Sequence, residues 1–113
     1  MGSYNHVTLV GRLVRDPFNK KLSNDVDLAN FVLAVDRPFA RKKDKVDKAD
    51  FIPIVAWRKL GKICEEFLSK GRLVLVEGRL QLHSYEKDGI TRQAAEVVAS
   101  NIQLLDYRKK ESV

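Results

Sequence analysis

The sequence predicts a mainly β domain: a five-stranded Greek-key barrel with one α-helix between its third and fourth strands. Three observations carry that reading. Short runs of β-branched and apolar residues are separated by turn residues. One stretch alone has helical apolar spacing, and it falls between the third and fourth runs. Glycines interrupt the first and fourth runs, where strands of a small barrel must bend. With 113 residues there is room for a single ordinary domain. Residues 1–106 are assigned to it, and residues 107–113 to a short basic tail expected to lack fixed structure.

Val7 to Val14 reads V-T-L-V-G-R-L-V, too short for an isolated helix, with Gly11 marking a bulge or bend. Asp16-Pro17 stops this strand, and Leu22 to Asp25 reads as a turn. The second strand, Leu28 to Val35, is almost wholly apolar, the pattern of a strand buried on both faces. Pro38 ends it. A third strand runs from Phe51 to about Arg58. Leu60, Ile63, Cys64, Phe67 and Leu68 then form an apolar stripe on a helix from about Lys59 to Lys70. Gly71 suits the C′ position, and Lys70 the negative end of the helix dipole. The fourth strand, Arg72 to Tyr85, bends at Gly78. Lys87-Asp88-Gly89 is a hairpin signal, and the fifth strand covers Thr91 to Leu105. This element order is that of the OB fold, an architecture suited to oligonucleotides and oligosaccharides.

A formal charge of +6 favours a polyanionic partner without naming one. Residues 37–50 carry six cations, including Arg37, Arg41, Lys42 and Lys43, against three aspartates. The tail adds Arg108, Lys109 and Lys110 against Glu111. No apolar run approaches the roughly 20 residues that span a bilayer, so no membrane association is expected. One cysteine allows no intrachain disulfide, and no secretory signal is visible, which together suggest a cytoplasmic home.

Side chains alternate along a strand. Phe51, Pro53, Val55 and Trp57 therefore share one side of the third strand, while Ile52, Ile54 and Ala56 suit the interior. In the fourth strand Tyr85 lies on the polar side with Arg79, Gln81 and His83. Phe39 stands inside the basic stretch R-P-F-A-R-K-K. Aromatic rings among cations suit single-stranded nucleic acid: bases stack on rings, and phosphates release counterions to Lys and Arg. Taken singly, Phe51 or Trp57 is more often a core or subunit-contact residue, and Tyr85 an ordinary cross-strand partner. Their coincidence on one architecture favours binding.

Several segments, in order and spacing, resemble the bacterial single-stranded DNA-binding protein family over residues 4 to about 106. They are N-H-V-T-L-V-G-R-L-V-R-D-P, A-N-F-V-L-A-V-D-R-P-F, A-D-F-I-P-I-V-A-W-R-K-L, F-L-S-K-G-R-L-V-L-V-E-G-R-L-Q and A-E-V-V-A. The resemblance implies base stacking on Phe39, Phe51, Trp57 and Tyr85. It implies phosphate contacts from Lys59 and Lys70, with Arg41, Lys42 and Lys43 in the loop that wraps DNA. Arg37, Arg58 and Arg79 complete the expected phosphate set. Pro53 stands where the family often has a basic residue, so no such contact is expected there. The implied role is sequence-independent binding and protection of single-stranded DNA in replication, recombination and repair, by a homo-oligomer, typically a homotetramer, at the nucleoid. Where the family usually has an acidic C-terminal tip, the sequence reads R-K-K-E-S-V: either it is a piece of a longer chain, or the protein works without that tail and recruitment of replication and repair proteins is not expected.

Catalysis is not expected. There is no phosphate-binding glycine loop, no H-E-x-x-H and no G-x-S-x-G. Cys64 belongs to the helix's apolar stripe, and His6 and His83 lack partners at metal-ligand spacing. Neither cofactor nor metal is anticipated. Two rivals stay open: a primosome-type OB-fold accessory protein, and an OB module that binds RNA or protein. Oligosaccharide binding would need the aromatics without so many cations.

Overall fold

A computed structural model describes residues 2–38 and 48–106. In chain order the elements are β1 (Val7–Leu13), β2 (Phe18–Lys21), β3 (Asp27–Asp36), β4 (Ala49–Trp57), α1 (Lys59–Phe67), β5 (Leu73–Lys87) and β6 (Ile90–Leu104). The strands form one sheet in the order β1-β5-β6-β4-β3-β2, and β1 also pairs with β3. That extra pairing closes a ring of five strands, β1-β5-β6-β4-β3, which is the expected OB-type barrel with its helix in the third-to-fourth crossover. Closure requires close approach. A Cβ on Gly11 would sit 2.5 Å from the carbonyl oxygen of Ala34, so β1 reaches β3 there only because that atom is missing. Gly78 does the same for β5 against β6, beside the register shift at Glu77/Gly78.

The sixth strand, β2, was not anticipated. Its sequence F-N-K-K shows no apolar alternation, and all four residues are exposed. It forms because the first half of β3 offers a free edge: Phe18 pairs with Asn30 and Lys21 with Asp27. The turn read at Leu22 to Asp25 links these two strands. The amide of Leu22 donates to the carbonyl of Val26, and that of Asp25 to the carbonyl of Leu22. A two-residue Asp88-Gly89 loop joins β5 to β6, both residues having the positive φ of a type I′ hairpin turn.

The core is apolar throughout. Leu13, Phe31, Leu33, Ile54, Val74, Val76 and Val97 fill the barrel. Alternation along β3 buries Ala29, Phe31 and Leu33 and leaves Leu28, Asn30 and Val32 half-buried or exposed. The expectation of burial on both faces is thus corrected: these outward residues lie on the barrel's outside, where the described chain puts no second layer. The helix is also shorter than anticipated. It ends at Phe67, with Leu68 extended as its C-cap. Gly71 is therefore not its C′ residue; its φ of 86° belongs to the turn in which the Arg72 amide donates to the carbonyl of Ser69. Lys70 lies beyond the last turn, its amide held by the Asp16 carboxylate at 2.8 Å. Cys64 and Leu68 of the stripe are buried against the barrel, whereas Ile63 and Phe67 are exposed. No helix among the described residues is long and apolar enough to cross a membrane.

Candidate nucleic-acid interface

Register and alternation together define the outer face. On β4, Ile54 and Ala56 point into the core, so Phe51, Pro53, Val55 and Trp57 point out. Antiparallel partners put their side chains on one face. Trp57 is paired with Leu28 and Leu28 with Lys20; Val55 is paired with Asn30 and Asn30 with Phe18. On its other side β4 runs parallel to β6, with Val55 beside Val98, and Val98 opposite Arg79 of β5. A continuous row of outward positions therefore curves around the barrel: Arg79, Val98, Val55, Asn30, Phe18.

Phe51 and Trp57 lie on either side of this row, six residues apart, or roughly 20 Å along an extended strand. Phe51 is 65% exposed and Trp57 42%. Val55 between them is buried, so the two rings flank a covered stretch. Tyr85 is 45% exposed and pairs with Arg92, six residues beyond Arg79 on the long β5–β6 hairpin. Because β5 is antiparallel to β6 and β6 parallel to β4, Tyr85 lies towards the Phe51 end. Three of the four sequence-read aromatics thus share the outside of the barrel. The fourth, Phe39, lies outside the described residues, as do Arg41, Lys42 and Lys43.

The remaining cations differ in how engaged they are. Arg37 donates to a carboxylate oxygen of Asp50 through Nε at 3.1 Å and Nη2 at 2.7 Å. This hydrogen bond, with the guanidinium charge, holds the Asp50 carboxyl below its ordinary range. Arg37 is therefore already engaged by Asp50. Arg79 donates to Gln81 at 2.8 Å, which aligns it along the polar side of β5. Arg58 and Lys59 are exposed where β4 turns into α1, directly after Trp57. Lys70 is exposed on the turn before β5, away from the aromatic row in sequence and element. His83 lies 3.8 Å from Glu96, and His6 within 2.9 Å of the Thr8 hydroxyl, so each has a neighbour of its own.

Sequence reasoning missed Phe18. It is 67% exposed, the most open ring on this face. Alternation could not have assigned it, because its own strand has no apolar face; its place follows from pairing with Asn30. Cys64 offers no chemistry here: it is fully buried, and loss of hydration pushes its thiol up to about 12. Among the described residues no group of His, Cys, Asp and Glu could hold a metal ion.

Residues 4–105 match the model of the Single-strand binding protein family. Over 110 residues the chain is 44% identical to a single-stranded DNA-binding protein of Clostridium tetani, covering 96% of this chain and 74% of that one. A single-stranded DNA-binding protein of Halalkalibacterium halodurans is 43% identical over 109 residues, covering 96% and 64%. One of Treponema pallidum is 39% identical over 105 residues, covering 93% and 60%.

Proposed function

Because this chain belongs to the single-strand binding protein family, we propose that it binds and protects single-stranded DNA without regard to sequence, by stacking bases on Phe51, Trp57, Tyr85 and Phe39. The observation that carries this reading is the exposure of Phe51 and Trp57 on one outward face of β4, with Arg58 and Lys59 directly beside Trp57. An unstacked base presents a π-face to such a ring, and a duplex does not. Each stack is worth about 1–3 kcal/mol and tolerates any base. Arg37, Arg58, Lys59, Lys70 and Arg79, with Arg41, Lys42 and Lys43, contact phosphates and make affinity fall with salt. The family supports a binding role and not a catalytic one. Replication, recombination and repair in the cytoplasm, at the nucleoid, are the settings in which such strands arise.

Assembly into a homo-oligomer, a homotetramer in the simplest form, belongs to the same proposal. Its support is the edge of β1 facing away from β5, which among the described residues is paired at Arg12, Leu13 and Val14 and not at Val7 to Val10. Val7 to Val10 thus offer backbone groups and an exposed Val10 to a second copy.

Trp57 is the single tryptophan, so intrinsic fluorescence during titration with oligo-dT reports one site. Strong quenching by oligo-dT, with little effect from a duplex of equal length, is the expected result. Trp57→Ala should weaken binding by about 1–3 kcal/mol. Equal response to duplex and single strand, or no response to either with unaltered binding by Trp57→Ala, would overturn base stacking there.

A further inference from the structure

Phe18 and Lys20 lie on β2, an edge strand outside the five-stranded ring. Phe18 is 67% exposed on that strand. Here the register says which partner the ring faces. Phe18 is in the row of Asn30 and Val55, and Lys20 in the row of Leu28 and Trp57. Two strand spacings and a two-residue offset put the Phe18 position roughly 12 Å from that of Trp57. No hydrogen bond or ion pair engages the Lys20 side chain among the described residues.

We propose that β2 is an added binding element, in which Phe18 stacks a further base of the strand that occupies Trp57 and Lys20 takes a phosphate between them. The proposal rests on the single-strand reading of Trp57 and extends it. Three features favour a nucleotide over a protein as the occupant. The patch is continuous with the β4 face through direct register pairs. Its neighbour on the same face of β2, Lys20, is cationic and exposed. A single ring beside that cation supplies a stacking plane without the broad apolar area of a protein-docking site. Edge position also suits the role, since β2 can carry a ligand contact without disturbing barrel closure.

The test measures affinity for oligo-dT of about 16 nucleotides, the upper end of the length one OB fold occupies. The full chain and its Phe18→Ala, Phe18→Leu, Phe18→Tyr, Lys20→Gln and Trp57→Ala variants are compared. Phe18→Ala should lose about fivefold or more, corresponding to one stack. Phe18→Tyr should bind like the parent, whereas Phe18→Leu, which keeps apolar bulk without a ring face, should not. Lys20→Gln should flatten the salt slope by about 0.7. The Leu and Tyr variants keep the side chain's size, so their comparison stands even if Phe18→Ala loosens β2. If Trp57→Ala binds poorly while every Phe18 variant binds like the parent, the β2 proposal fails and the Trp57 reading survives. If the parent does not bind oligo-dT, both fail.

Discussion

Arg58 should be a residue whose replacement by glycine makes the protein more stable and a poorer ligand for phosphate chains. Its backbone has φ 60° and ψ −128°, a conformation that glycine enters freely and other residues enter at about 1–3 kcal/mol. Hydrogen bonds on both sides keep it there: its amide donates to the Asp27 carbonyl at 2.7 Å, and its carbonyl accepts from the Lys62 amide at 3.0 Å. Its exposed side chain makes no capping hydrogen bond to α1, so truncation removes little. Against the relieved strain stands the greater freedom of glycine in the unfolded chain, about 0.4–1 kcal/mol. The net expectation for Arg58→Gly is a gain of about 1 kcal/mol, or about 4–8 °C in Tm for a domain of this size. Losing one cation beside Trp57 should at the same time flatten the salt slope of oligo-dT binding by about 0.7. Thermal and urea unfolding, with titrations at several salt concentrations, read both quantities. Arg58→Lys keeps charge and strain, and should leave both near the parent values. A less stable Arg58→Gly would refute the reasoning, since it would mean that the arginine side chain contributes more to folding than its backbone costs.

Two further predictions concern titration. Asp50→Asn releases Arg37 from its ion pair, and should raise affinity for oligo-dT at low salt and steepen the salt slope. The same pair sets a pH window: the native Asp50 carboxyl ionises below its ordinary value of 3.8. Its stabilising contribution is therefore complete above that value and lost as pH falls through the lower native one, so parent and Asp50→Asn should differ in stability by a constant amount above 3.8 and converge as pH falls through that window. Cys64 shifts the other way. An unfolded thiol ionises near 9 and the buried one near 12, so ionisation favours the unfolded chain as pH rises between these values. The unfolding free energy from urea melts should fall more steeply between pH 9 and 12 in the parent than in Cys64→Ala, by up to about 1.4 kcal/mol per pH unit; parallel curves would mean that the thiol is not desolvated.

Much of the architecture was legible before any coordinates. Period-two alternation put Ile54 and Ala56 inside and Phe51 and Trp57 outside β4, and the exposures agree. Gly11 and Gly78 marked the bends because no side chain fits where two strand backbones nearly touch. The Asp88-Gly89 signal located the hairpin, since both loop residues need positive φ. These features are local: each depends on the conformational preference of one residue or on the faces of one strand.

What the sequence could not decide depends on neighbours distant along the chain. The helix stops at Phe67 although the apolar pattern continues to Leu68; Leu68 is extended, and Asp16, from far along the chain, holds the Lys70 amide in the turn beyond it. Ile63 and Phe67 share helical spacing with Cys64 yet stay exposed, since burial depends on where the barrel wall lies. β2 has no strand pattern of its own and exists as a partner to the free edge of β3. The alignment of Phe18 with the β4 face needs two registers at once, β2 on β3 and β3 on β4. A sequence specifies by itself which face of a strand is apolar, because that follows from bond geometry. Which strands lie side by side, and hence which rings and cations share one surface, is a property of closing the barrel, and only the tertiary structure decides it.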